Sequence, residues 1–158
     1  MKNRLSAQDY HNTDAATYEG DGQSFKRSAG IVEVTYEPSH FNPNAPLAQQ
    51  GSGKTIGKWM FNEEAAKAEG ILTSTIEVFM DTRLEPNASI GLHQHHQTEE
   101  IYYLLEGSIQ VTLNSAQGTK VVTLESGDVH RISPGESHYI EAGDQGARII
   151  VVAAGVRS

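Results

Sequence analysis

The chain has 158 residues, a formal net charge of −8 and no cysteine. Its length suits one domain with a core of its own, the acidic balance argues against a nucleic-acid surface, and the lack of cysteine excludes disulfides and thiolate chemistry. No segment has the apolar character of a signal peptide or a membrane span, so the sequence predicts a cytoplasmic protein that binds neither nucleic acid nor membrane.

The first third of the chain predicts an extended arm. Residues 1–53 are rich in Asn, Ser, Gly, Gln and Pro, and only residues 31–36 (IVEVTY) resemble a strand. Prolines at positions 38, 43 and 46 favour an irregular, extended path. Because this segment alone could not bury enough apolar surface to fold, we expect it to lie on its own domain or on a partner's, as a candidate dimer-forming arm.

Residues 54–158 predict a single all-β domain. The pattern indicates a strand at 54–62 and a short helix at 63–69 that ends at Gly70. Eight short strands are then predicted, separated by Gly- and Pro-containing turns. They cover residues 71–81, 89–94, 100–105, 108–113, 120–124, 128–132, 138–141 and 147–153. Short strands with scarcely a helix between them favour a closed barrel.

One short motif carries no function. Residues 51–55 read GSGKT, which is the tail of a phosphate-binding loop. A working loop needs a glycine at position 48, where this chain has Ala48, and it needs a strand before it and a helix after it. We therefore predict an ordinary turn at this place.

The most informative stretch is residues 91–107, which reads GLHQHHQTEEIYYLLEG. His93 and His95 are two residues apart, so on a strand they point to the same face. Glu100 begins the next apolar run. A carboxylate and a third imidazole from elsewhere would complete a site with three nitrogen ligands and one oxygen ligand for a divalent first-row metal.

Two motifs resemble those of the cupin superfamily. The first is HxHx4Ex6G over residues 93–107, and the second is Gx7Gx2H over residues 127–138. The resemblance implies a cupin-type double-stranded β-helix (a jelly-roll barrel) with an N-terminal arm. It also implies one divalent metal ion, for which Fe(II) is favoured and Mn(II), Ni(II), Co(II) and Zn(II) are alternatives. The implied ligands are His93, His95, Glu100 and His138.

Three further residues are candidates near this site. Glu99 competes with Glu100, but the family pattern places the ligand directly before the Ile-Tyr-Tyr run, which favours Glu100. Tyr102 shares the face of Glu100 on a strand, so it is a candidate catalytic acid or base. His130 is a second candidate catalytic residue, although the sequence does not decide which way its strand faces.

The resemblance implies a class of chemistry more clearly than a reaction. We expect a metal-dependent enzyme acting on a small oxygenated or carboxylate-bearing molecule, with a dioxygenase (oxidative cleavage) as the first hypothesis. A non-redox lyase, isomerase or decarboxylase is the second, and a non-catalytic module that binds or senses a small, sugar-like ligand is the third. A homodimer is also predicted, from the arm and from the outward apolar residues Ile101, Tyr103 and Leu105.

Overall fold

A computed structural model describes residues 4–6, 25–61, 72 and 74–156. Nine strands and three short 3₁₀ helices occur in these ranges. The predicted helix at 63–69 lies outside the described residues. The strands are β1 (Arg4–Ser6), β2 (Glu33–Tyr36), β3 (Thr55–Phe61), β4 (Ile76–Leu84), β5 (Ser89–Gln94), β6 (Thr98–Ser115), β7 (Gly118–Glu125), β8 (Val129–Ile132) and β9 (Ser137–Gly155).

The strands form one curled sheet that closes around a core. The order is β1-β2-β3-β4-β9-β6-β7, while β5 pairs with β9 and β8 pairs with β6. Except for the parallel β1–β2 pair, the described pairs are antiparallel. The long strands β6 and β9 each have partners in both halves of the barrel, so they join the two halves into one antiparallel body. The all-β prediction is confirmed.

Two of the strands are longer than the sequence pattern predicts. The segments 100–105 and 108–113 belong to one strand, β6, and 138–141 and 147–153 belong to β9. The Glu106-Gly107 signal marks a bend inside β6, where Gly107 has a φ of +77° and the register with β9 shifts. An irregularity of this kind bends a strand without ending its pairing.

Side chains alternate along β6 between the interior and the surface. Tyr102 and Leu104 are buried, whereas Ile101 and Tyr103 are 43% and 44% exposed. Burial on every second residue is the expected result of the pleat. Together with Val129 on the neighbouring strand β8, which is 57% exposed, the outward residues leave an apolar strip on the surface. The homodimer that the sequence suggested stays a prediction.

The described part of residues 25–53 packs on its own barrel. Strand β2 pairs with β3, and Val34 and Tyr36 are buried there beside Trp59. Asn42 donates a hydrogen bond of 2.6 Å from Nδ2 to the carbonyl of Leu92 on β5. The boundary between arm and domain at residue 53 stays a prediction. Within the described residues, no helix is long and apolar enough to cross a membrane.

The GSGKT segment is a turn that docks on strand β5. Gly51 and Gly53 have φ values of +88° and +67°, and the Ser52 amide donates a 2.7 Å hydrogen bond to Ser89 Oγ. Strand β3 follows at once, where a phosphate-binding loop would continue into a helix.

Candidate metal centre

Three strands bring the four predicted ligands together. Strand β5 carries His93 and ends one residue before His95, β6 carries Glu100, and β9 carries His138. His93 and His138 are direct partners in the β5–β9 register. His138 is fully buried, and His95 and Glu100 are 9% and 8% exposed.

The ligand atoms of these four side chains converge on one point. His138 Nε2 lies 3.1 Å from His93 Nε2 and 3.3 Å from His95 Nε2. Glu100 Oε2 lies 3.4 Å from His95 Nε2 and 3.8 Å from His138 Nε2. All four atoms are within 4.8 Å of one another, and we call this group the His₃Glu cluster.

The second ring nitrogen of each histidine has a partner outside the cluster. His93 Nδ1 is 2.8 Å from the Gly91 carbonyl, and His95 Nδ1 is 3.2 Å from Thr98 Oγ1. His138 Nδ1 is 3.0 Å from His130 Nε2. With its proton on Nδ1, each ring turns the lone pair of Nε2 towards the centre, as second-sphere partners do around metal-binding histidines.

Burial keeps the histidines neutral and makes the carboxylate costly. The pKa of His95 falls to about 4, chiefly because burial disfavours the charged ring, and burial likewise lowers the pKa of His93 and of His138. Burial raises the pKa of Glu100 to about 7, and a hydrogen bond from Tyr102 acts in the opposite direction. The carboxylate of Glu100 therefore has no positively charged partner within the cluster.

The donor set fits a divalent cation. Within the described chain, Glu100 Oε2 is buried and has no hydrogen-bond partner, and a buried polar atom left unpaired is costly. The three Nε2 atoms around it are acceptors when the Nδ1 atoms carry the protons. A cation is the one kind of group that satisfies four converging acceptors at once, and nitrogen with oxygen suits first-row divalent metals.

Tyr102 and His130 take different positions around the cluster. Tyr102 is 4% exposed and donates its hydroxyl hydrogen bond to Glu100, and burial raises the pKa of the phenol well above its usual value. The phenol therefore stays protonated. His130 packs behind His138 and is absent from the lining of the cavity that the cluster faces. It contacts the ring of His138, which it can orient, and its own ring lies 6.0 Å from the ring of Tyr102.

Glu99 points away from the cluster. Its carboxylate accepts a 3.0 Å hydrogen bond from Arg131, and its side chain is 43% exposed. The strand phase that the sequence assigned to Glu100 therefore matches the structure, and the competing placement of Glu99 at the centre does not.

The cluster lies at a cavity of about 340 Å³. Most of the wall is apolar or aromatic, and among the described residues neither lysine nor arginine lines it. Three of the predicted ligands, His93, His95 and Glu100, line it, and the other lining residues are Tyr36, His40, Phe41, Thr55, Trp59, Val78, Met80, Thr82, Ile90, Tyr102 and Val151. The part of the wall that comes from residues 36–41 was not predicted from the sequence, because the polar composition of that segment indicated an arm.

Comparison with known proteins agrees with the fold and the motifs. The family model described as "Cupin domain" matches residues 80–153. A solved protein from Thermotoga maritima, described as a predicted oxalate decarboxylase, superimposes with a TM-score of 0.63 at 25% identity, over 84% of this chain and 99% of that one. The chain contains a cupin domain. The resemblance drawn from the two motifs is thereby confirmed.

Two further proteins are similar to parts of this chain. An oxalate-binding protein from Thermotoga maritima is 41% identical over 64 residues, which are 40% of this chain and 50% of that protein. The match thus spans half the length of the curated relative. The Bacillus subtilis oxalate decarboxylase, a protein with Mn(II) centres, superimposes with a TM-score of 0.52 at 24% identity, over 66% of this chain and 26% of that one. This likeness shows the fold alone.

Proposed function

We propose that this cupin is a metal-dependent enzyme that acts on a small carboxylate-bearing molecule, with His93, His95, Glu100 and His138 as the metal ligands. The observation that carries the proposal is the His₃Glu cluster at the wall of a cavity without a described lysine or arginine. A carboxylate that enters this cavity meets no lysine or arginine among the described lining residues. A divalent ion in the cluster is then the positive charge that offsets it.

The chain supplies orientation and a proton to this site. His93, His95, Glu100 and His138 would hold a divalent ion, which would stabilise negative charge on a bound oxygen ligand. The Nδ1 contacts of the three histidines fix the ring orientations. Tyr102 Oη holds a proton beside Glu100, since its raised pKa keeps the phenol neutral. The apolar wall excludes water from the ligand.

Among the reactions open to this site, we favour decarboxylation. In this reaction the bond to the carboxylate carbon breaks, carbon dioxide leaves, and the remaining carbon takes up a proton, for which Tyr102 is the candidate donor. The similar proteins of Thermotoga maritima are an oxalate-binding protein and a predicted oxalate decarboxylase. Oxidative cleavage by a dioxygenase is the second candidate, supported by a donor set that also suits Fe(II).

Reconstitution without oxygen separates these candidates. We would load metal-free protein with Mn(II) or with Fe(II) under argon, and then supply a panel of carboxylates that includes oxalate. Decarboxylation releases carbon dioxide with no oxygen consumed, whereas a dioxygenase turns over only after oxygen is admitted and consumes it stoichiometrically. Ligand binding without any turnover under either condition would show a binding module and contradict the enzyme proposal.

Metal affinity is expected to fall about tenfold for each pH unit below about 7, because one proton is displaced per metal bound. The pKa of Glu100 is raised to about 7, so its carboxyl takes up a proton below that pH. The histidines have lowered pKa values and add no proton near pH 7. Competition titrations with a chromophoric chelator at several pH values measure the slope of the logarithm of the metal affinity against pH. The variant Glu100→Gln should bind more weakly and lose the slope; an unchanged slope would assign the proton elsewhere.

Replacing Tyr102 with phenylalanine is expected to cut turnover by about 10²–10⁴-fold, the usual scale for a positioned proton-transfer group. The ring and its packing remain, so the fold and the metal content measured at saturating metal should remain too. Tyr103→Phe is the matched control, because that side chain faces outward and is 44% exposed. Equal rates for Tyr102→Phe and the control would leave Tyr102 as a wall residue only.

A further inference from the structure

Two buried side-chain polar atoms in the described chain have no hydrogen-bond partner, and both belong to residues that line the same cavity. They are Glu100 Oε2 and Thr82 Oγ1. The His₃Glu cluster accounts for the first. Thr82 is 1% exposed and lies on β4, away from the cluster, so a metal does not account for its hydroxyl. Buried hydroxyls without a partner are rare enough in native proteins to call for an explanation.

Thr82 lies at the far end of the cavity from the metal ligands. In the sheet register it pairs with Ile149, which pairs with Leu104 on β6. Leu104 is four residues beyond Glu100 on the same inward face, and four residues of strand span about 13 Å. Along the strand direction, Thr82 is therefore about 13 Å from the row of the sheet that holds Glu100.

The wall between these two ends is apolar and aromatic. Val78 and Met80 precede Thr82 on the inward face of β4, and Trp59 lies on the neighbouring strand. Tyr36 and Phe41 cover the cavity from the N-terminal segment, with the Phe41 ring 5.9 Å from the ring of His93. Aromatic walls of this kind favour a flat apolar body.

We propose that the ligand of this cupin is a carboxylate with an apolar, ring-sized body, and that its far end carries a polar group that hydrogen-bonds to Thr82 Oγ1. This inference rests on the proposed function, because the metal holds the carboxylate end. Oxalate consists of two directly bonded carboxyl groups and is too short to touch both the cluster and Thr82. Thr82 thus helps to determine which ligands bind, at the end of the cavity away from the His₃Glu cluster.

The test compares three probes on protein loaded with Mn(II): oxalate, phenylpyruvate and 4-hydroxyphenylpyruvate. The two aromatic probes share one chelating end and differ by one hydroxyl at the other. The wild-type protein should bind the hydroxylated probe about 3–10-fold more tightly, the scale of one neutral hydrogen bond.

The variant Thr82→Val keeps the side-chain shape and removes the hydroxyl, so it should bind the two aromatic probes equally. Thr123→Val, at an exposed position on β7, should keep the preference. Calorimetric titration gives the Kd values.

A second readout needs neither metal nor ligand. Because the Thr82 hydroxyl is buried without a partner, replacing it with a methyl group should raise the unfolding temperature of the metal-free protein. A lower unfolding temperature for Thr82→Val would mean that the hydroxyl is satisfied within the fold, which overturns the inference.

The outcomes distinguish this inference from the proposed function. If the loaded protein binds oxalate and neither aromatic probe, or if Thr82→Val keeps the preference for the hydroxylated probe, the deep end is not a recognition site and only this inference fails. If the protein takes up no divalent metal, the proposed function fails, and the inference fails with it.

Discussion

Replacing His93 with alanine is expected to weaken divalent metal binding by more than about 100-fold, since changes to the outer partners of metal ligands alone cost about 10–100-fold. The variant removes one of four converging donors, and the three that remain include a buried carboxylate without a hydrogen-bond partner at Oε2. Metal analysis after dialysis against trace metal should give about one ion per chain for the wild type and little for the variant. Chelator competition gives the ratio of the Kd values.

The same stretch of sequence offers the control. His96 lies three residues beyond His93 but is exposed and outside the cluster, so His96→Ala should bind metal as the wild type does. Equal losses in the two variants would show that the metal binds to surface imidazoles, and the His₃Glu cluster would then lose its role. His93 is preferable to the fully buried His138 for this test, because its truncation leaves a smaller void in the core.

The sequence predicted the local half of the site for physical reasons. The two-residue period of a strand puts His93 and His95 on one face, and the same period makes Glu100 and Tyr102 neighbours on β6. The meeting of His93 with His138 depends instead on the pairing of β5 with β9, between segments 45 residues apart. No local pattern encodes such a pairing. The second motif indicated it only through the family resemblance.

Local sequence signals also did not distinguish a bend within a strand from a turn between two strands. Glu106-Gly107 has the composition of a hairpin turn, yet β6 continues through it and keeps its pairing with β9. The positive φ that glycine permits is needed in both situations. The sequence therefore predicted where the backbone is unusual, and it did not predict whether the strand ends there.

The cavity wall was the least predictable part. Tyr36 and Phe41 occur in a segment whose polar composition favoured an arm, and their contacts with the interior depend on β2 pairing with β3. Thr82 looked like any strand threonine, since the absence of a hydrogen-bond partner for its hydroxyl becomes visible only when the surrounding side chains are in place. The residues that set ligand size could not be predicted from local sequence patterns, because their places in the cavity wall depend on long-range packing.

Replacing Gly107 with alanine is expected to destabilise the fold by about 2–5 kcal/mol, a large part of the roughly 5–15 kcal/mol that stabilises a typical domain. Two effects add. The φ of +77° costs a residue with a Cβ about 1–2 kcal/mol. The new methyl group would also overlap the Gly146 carbonyl oxygen and approach Ala147, and forced contacts in a packed region cost about 1–3 kcal/mol. Denaturant unfolding measures the loss.

Gly127→Ala separates the two effects, because Gly127 has a φ of +96° but no atom within 4 Å of an added Cβ. It should lose only the conformational part, about 1–2 kcal/mol. The difference between the two losses then measures the cost of the overlap between the added methyl group and the Gly146 carbonyl oxygen. Equal losses would mean that this contact relaxes freely, and the glycine of the first motif would then be needed for its backbone angle alone.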